Sequence, residues 1–177
     1  NDFIDGNQGN DIAFLGAGND IFQWDPGDGS DVVEGQDGAD TMLFNGSAGN
    51  EIFQASANGG RALFTRNLGN IVMDLNDVEK IDLNALGGTD TLIVNDMSGT
   101  DVTRIGVDLA GTIGGTTGDA QADNVIVNAT QGNDEIAVFG SGTSISVTGL
   151  AAVVDIRNAE GANDSLVINT LGGDDKV

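Results

Sequence analysis

Acidic residues recur along the first third of the chain at Asp2, Asp11, Asp20, Asp31, Asp40 and Glu51, in steps of 9, 9, 11, 9 and 11. A spacing of nine is neither the helical period nor plain strand alternation. Two positions after the acids stand Ile4, Ala13, Phe22, Val33, Met42 and Phe53, and two positions before most of them stand Gly9, Gly18, Gly29, Gly38 and Gly49. Each unit reads as a tight turn, an acid and a very short strand. Such a strand cannot bury its apolar side alone, so copies must stack. If each unit is half a coil, successive strands fall in two opposite sheets and every second unit returns to the same sheet, about 4.8 Å further on. The expected fold is all-β, a parallel β-roll in which Ile4, Phe22 and Met42 face Ala13, Val33 and Phe53 across a narrow core. Phe3, Ile21, Thr41 and Ile12, Val32, Ile52 are expected on the outer faces, with Phe14, Trp24 and Phe44 nearby.

Four near-tandem stretches carry a more specific pattern. They are Gly6-Asn7-Gln8-Gly9-Asn10-Asp11, Leu15-Gly16-Ala17-Gly18-Asn19-Asp20, Pro26-Gly27-Asp28-Gly29-Ser30-Asp31 and Gly35-Gln36-Asp37-Gly38-Ala39-Asp40. This pattern resembles the RTX nonapeptide repeat of haemolysin-type calcium-binding proteins, Gly-Gly-x-Gly-x-Asp-x-apolar-x. Leu15 and Pro26 replace the first Gly, Asn7 and Gln36 the second, and Glu51 the Asp of the last unit. The resemblance implies a right-handed parallel β-roll, or β-helix solenoid, with calcium ions in the Gly/Asp-rich turns. Each ion would sit between two stacked turns, taking carbonyls from both and one acid from each.

The residue types agree with calcium. Of 28 acids only five are Glu, and Asp, with its short side chain, is a turn residue. Calcium takes roughly six to eight oxygen ligands at about 2.3–2.6 Å, and Gly-rich turns expose carbonyl oxygens. With no His and no Cys, zinc and softer metals lose their usual ligands. The acid pairs expected on one edge are Asp2 with Asp20 and Asp20 with Asp40; on the other they are Asp11 with Asp31 and Asp31 with Glu51. About four interior ions follow. Asn7, Gly9, Gly16, Gly18, Gly27, Asp28, Gly29, Gly35, Asp37 and Gly38 complete the expected metal-holding turns. Partial turns at Gly88 and Asp90, at Asp134 and at Asp164 are candidate extra sites.

Three segments are expected: the calcium-binding β-roll at 1–54, a continuing parallel coil at 55–131 interrupted by a Gly/Thr/Asp-rich loop near 110–123, and a final module at 132–177. Strand-like runs centre near Leu63, Met73, Ile81 and Leu92, then at Val127, Val138, Val147, Ile156 and Ile168. Met73-Asp74-Leu75-Asn76-Asp77-Val78-Glu79 resembles Val154-Asp155-Ile156-Arg157-Asn158-Ala159-Glu160, and the stretch from Asn84 to Asp90 resembles that from Asn169 to Asp175. Residues 49–94 thus have a second copy in 132–177. Both ends of the chain fall inside repeat units, as expected of a segment cut from something longer.

A formal net charge of -22 repels phosphates and anionic membranes, so nucleic acid is set aside and cations are the expected partners. No apolar run is long enough for membrane insertion. The leading function is a non-enzymatic calcium-binding structural module that folds where calcium is abundant. The RTX resemblance implies type I secretion from a bacterium and an extracellular or cell-surface location. The alternative is an adhesive or matrix-forming module that self-associates or binds a surface. A polysaccharide-acting β-helix enzyme ranks lower, because the six cations Arg61, Arg66, Lys80, Arg104, Arg157 and Lys176 are scattered in sequence. A pocket with paired acids away from the turns would mark that third class.

Overall fold

The computed structural model describes residues 1–177. The chain begins by alternating between two sheets. β1 (Phe3–Asp5), β3 (Ile21–Trp24) and β5 (Thr41–Ser47) pair in parallel in the first, while β2 (Ile12–Gly18) and β4 (Val32–Gly38) pair in parallel in the second. Along β3 and the first four residues of β4 and β5, buried residues alternate with less buried ones, as in a half-buried strand. Ile4, Phe22 and Met42 stand in register, and so do Ala13 and Val33.

The next strands break the alternation. β6 (Ile52–Asn58), β7 (Arg61–Arg66) and β8 (Ile71–Asn76) form an antiparallel meander within the second sheet, and it is β8, not β6, that pairs with β4. The run near Leu63 is therefore the antiparallel middle strand of a meander, which corrects the expected parallel coil. The cause is local: Asn58 pairs with Arg61, leaving Gly59-Gly60 as a two-residue hairpin loop with Gly59 at φ 67°. One consequence is that Val33 is followed along the core by Leu75, while Phe53 packs two strands further on.

Alternation then resumes through β9 (Lys80–Leu86), β10 (Thr91–Val94), β11 (Arg104–Asp108) and β12 (Asn124–Asn128), with residues 109–123 forming the expected non-strand loop. A second meander follows in the first sheet, made of β13 (Ala137–Ser141), β14 (Ser144–Thr148) and β15 (Val153–Arg157), before β16 (Ser165–Asn169) returns to the second. Its hairpin loop is Gly142-Thr143, with Gly142 at φ 61°. The run near Val147 is thus antiparallel as well. The two stretches similar in sequence each contain a three-stranded meander followed by one strand in the opposite sheet.

The finished body is nearly all β, with two eight-stranded sheets ordered β1-β3-β5-β9-β11-β15-β14-β13 and β16-β12-β10-β6-β7-β8-β4-β2. A continuous core cluster of 32 buried residues lies between them. Trp24 and Phe44 belong to it rather than to an outer face: both are fully buried, with rings stacked 4.0 Å apart, and Phe53 and Phe64 pack beside them. Such stacking adds about 0.5–1.5 kcal/mol to the burial itself. Phe14 is exposed, as are Phe3, Ile12 and Ile52. At the strand ends, Asn84 donates to Asn45 at 2.8 Å and Asn45 to Asp25 at 2.7 Å, while Asn169 donates to Asn128 and Asn128 to Asn95. These ladders satisfy polar side chains by stacking them strand upon strand. No helix is long and apolar enough to cross a membrane.

Candidate metal centre

Each acid of the repeat stands at the last position of its turn, just before a strand enters a sheet, so parallel strand pairing stacks the acids in columns. On the edge leading into the first sheet, the amide of Asp2 donates to Asp20 Oδ1, that of Asp20 to Asp40 Oδ1 at 2.8 Å, and that of Asp40 to Glu79 Oε2 at 2.6 Å. On the opposite edge, the Asp11 amide donates to Asp31 Oδ1 at 2.8 Å. Beyond the first meander a second run begins there: Glu51 to Asp90 and Asp90 to Asp123, both 2.8 Å, then Asp123 to Asp164 at 3.1 Å. A separate step joins Asp134 to Asp175 at 3.0 Å.

Asp20, Asp31, Asp40 and Asp90 each accept a ladder amide on Oδ1. Their Oδ2 atoms, and Oδ2 of Asp11, are buried and have no hydrogen-bond partner. Asp20, Asp31, Asp40 and Asp90 are at most 3 % exposed. A buried carboxylate oxygen left unpaired costs several kcal/mol unless a proton or a cation reaches it, an order-of-magnitude figure. Burial, opposed by the amide bond and reinforced by neighbouring acids, raises the Asp31 and Asp40 carboxyls above the ordinary range. The same cause pushes Asp90 up to about 7 and Asp123 up to about 6.

The turns approach one another too closely for side chains at Gly29, Gly38 and Gly35. A Cβ on Gly29 would lie 1.4 Å from the Gly9 carbonyl oxygen, and one on Gly38 would lie 1.5 Å from that of Gly18. Carbonyl oxygens from successive turns are thereby stacked beside the acid columns. Left-handed backbone at Asn7, Gly9, Gly16, Gly18 and Gly27 shapes the same turns. A Cβ on Gly35 would lie 1.6 Å from the Asp77 carbonyl oxygen and 2.7 Å from Asp40 Oδ2.

Other expected residues take different roles. Asp28 Oδ2 accepts the Asp25 amide at 2.7 Å, which closes its own turn, and Asp37 is exposed. Glu51 does not stack on Asp31, because the meander stands between β4 and β6. Its Oε1 instead pairs with the buried Arg66 guanidinium and its Oε2 accepts the Ser47 amide at 2.6 Å. Arg66, 8 % exposed and lying over the Trp24 ring at 5.3 Å, is an internal cation at the break in the acid column. Asp134 and Asp164 have their second oxygens bonded to the amides of Thr130 and Glu160, four residues earlier. Of the extra positions, only Asp90, beside Gly88, keeps a buried oxygen free.

Glu79 and Asp123 belong to the columns although neither carries a glycine two positions before it. The signal for Asp123 is the acid followed by the alternating strand Asn124–Asn128; the signal for Glu79 is the same, before Lys80–Leu86. No three acidic side chains converge on one point. The donor set is therefore pairs of carboxylates with backbone carbonyls, all oxygen, which fits calcium and not a metal that needs nitrogen or sulfur. A scan against protein-family models, a search of curated proteins and a search of solved structures each found no match to this chain.

Proposed function

We propose that this chain is a calcium-dependent structural segment of the RTX haemolysin type, a right-handed parallel β-solenoid whose turns hold calcium and which folds on meeting the ion. The observation that carries the reading is the set of five buried, partnerless carboxylate oxygens on Asp11, Asp20, Asp31, Asp40 and Asp90, aligned in stacked turns. The acid pairs Asp2 with Asp20, Asp20 with Asp40, Asp40 with Glu79, and Asp11 with Asp31 hold four ions in this reading, and Asp90 with Asp123 a fifth. A chain of net charge -22 repels itself without counter-ions, so the metal's binding free energy becomes folding free energy. Extracellular calcium modules respond at about 0.1–1 mM, which leaves the segment open in a cytosol and closed outside it. Secretion from a bacterium as an unfolded chain follows from the same reading, in which the segment's role is structural; the polysaccharide-acting alternative draws on Asp82 and Asp155, paired acids that line a cavity away from the turns.

The test is far-UV circular dichroism with and without calcium. β structure gained at millimolar calcium and lost in excess chelator supports the reading; identical spectra in both overturn the switch. The adhesive alternative draws on Phe3, Ile12 and Phe14, which are 61 %, 66 % and 67 % exposed. Light scattering separates it, since adhesion by self-association requires a calcium-dependent rise in mass.

A further inference from the structure

The outer face of the first sheet carries a polar trough. Strands β9, β11 and β15 present three rows in register there: Lys80, Arg104 and Val153, then Asp82, Gly106 and Asp155, then Asn84, Asp108 and Arg157. Gly106, in the middle of the middle row, has no side chain, so the floor dips between two aspartates. A Cβ at Gly106 would lie 2.5 Å from Asp82 Oδ1. Ser144 and Ser146 of β14 form one wall, and the cavity measures about 440 Å³, within the size range of small-ligand pockets.

Three of the six cations of the chain meet at this trough, although they stand at positions 80, 104 and 157. Each is anchored by an acid: Lys80 Nζ to Asp82 Oδ2 at 2.6 Å, Arg104 to Asp155, and Arg157 Nε to Asp108 Oδ2 at 3.6 Å. The anchors leave the side chains of Lys80, Arg104 and Arg157 36 %, 55 % and 51 % exposed. A guanidinium has five N–H donors and a carboxylate engages at most a fork of them, so donors remain for a ligand.

The charge pattern selects the ligand class. A bare anion would meet Asp82 and Asp155, and a bare cation would meet Lys80, Arg104 and Arg157. A ligand with one anionic group and several hydroxyls satisfies both sets: the anion lies on the Arg104 or Arg157 fork, and the hydroxyls exchange hydrogen bonds with Ser144, Ser146 and the flanking aspartates. We propose that this trough binds an acidic sugar residue of a glycan, carboxylated or sulfated. The trough is built from strand residues alone and does not rest on the calcium reading.

The experiment is isothermal titration of the full chain, in constant saturating calcium, with an oligogalacturonate, a sulfated oligosaccharide and a neutral oligosaccharide of equal length. Heat from either acidic ligand, with affinity falling about tenfold or more in Arg104→Ala and in Arg157→Ala, supports the proposal and identifies the anionic group. Gly106→Leu, which fills the trough and keeps every charge, must also weaken binding. No binding, equal binding of the neutral oligomer, or affinity unchanged in these variants overturns it. Circular dichroism of the same samples with and without calcium reports the calcium switch separately, so the two readings fail independently.

Discussion

The amide of Asp20 donates a 2.8 Å hydrogen bond to Oδ1 of Asp40, twenty residues later, while Oδ2 of both carboxylates is buried without a partner. Parallel strand pairing of Ile21 with Thr41 imposes this contact on two like charges that would otherwise repel. In the proposed calcium reading, a cation between them would turn the repulsion into a tie between the two turns.

Asp20 also stands over Asp2, so its carboxylate serves two levels of one edge. Asp20→Ala is expected to lower the calcium content, measured by mass spectrometry of the desalted protein, by two ions. The Asp11 and Asp31 pair on the other edge should keep its ion. A loss of one ion alone rejects the pairing.

The raised carboxyls predict a pH dependence that calcium reverses. Asp90 and Asp123 have folded-state values of about 7 and about 6, above the ordinary 3.8. In chelator their protonated forms favour the fold, so stability is full below about pH 4 and falls as pH rises through 6 to 7. The Asp90 contribution is on the order of a few kcal/mol. In chelator the β structure read by far-UV circular dichroism should therefore be lost as pH rises from 5 to 8, and Asp90→Asn should flatten that loss. In millimolar calcium the trend should disappear, because the ion binds the deprotonated form.

Arg66 and Glu51 form a buried pair that no metal needs to bridge. Arg66→Met leaves the Glu51 charge uncompensated and is expected to cost roughly 3–5 kcal/mol in denaturant titration. Arg66→Met combined with Glu51→Gln should recover most of that loss. If the single variant is as stable as the parent, the ion pair is not structural.

Two glycines of positive φ separate close approach from backbone strain. Gly27, at φ 117°, has open space where a Cβ would point, so Gly27→Ala is expected to cost about 1–2 kcal/mol from strain alone. Gly38, at φ 153°, faces the Gly18 carbonyl at 1.5 Å, and Gly38→Ala must push two turns apart. Thermal denaturation in calcium should show a clearly larger loss for Gly38→Ala, together with weakened calcium binding. Equal losses would mean that the turns are not held in contact.

What the residue order settles here is whatever repeats locally. The nine-residue step of Asp2, Asp11 and Asp20 dictates a turn and a short strand. The eleven-residue steps keep Asp31 and Asp40 in the same columns. Asp2, Asp20 and Asp40 stack as the step requires, and so do Asp11 and Asp31. Strand direction is a different matter, since alternation of buried and exposed residues reads the same forwards and backwards. Two short loops, Gly59-Gly60 and Gly142-Thr143, reverse the chain, and the first of them moves Glu51 from Asp31 to Asp90 and puts Arg66 beside it. Once the coil order is altered, so are all neighbours across it. Lys80, Arg104 and Arg157, scattered along the chain, meet around Gly106 because hydrogen-bonded pairing of β9, β11 and β15 brings together residues 24 to 77 positions apart.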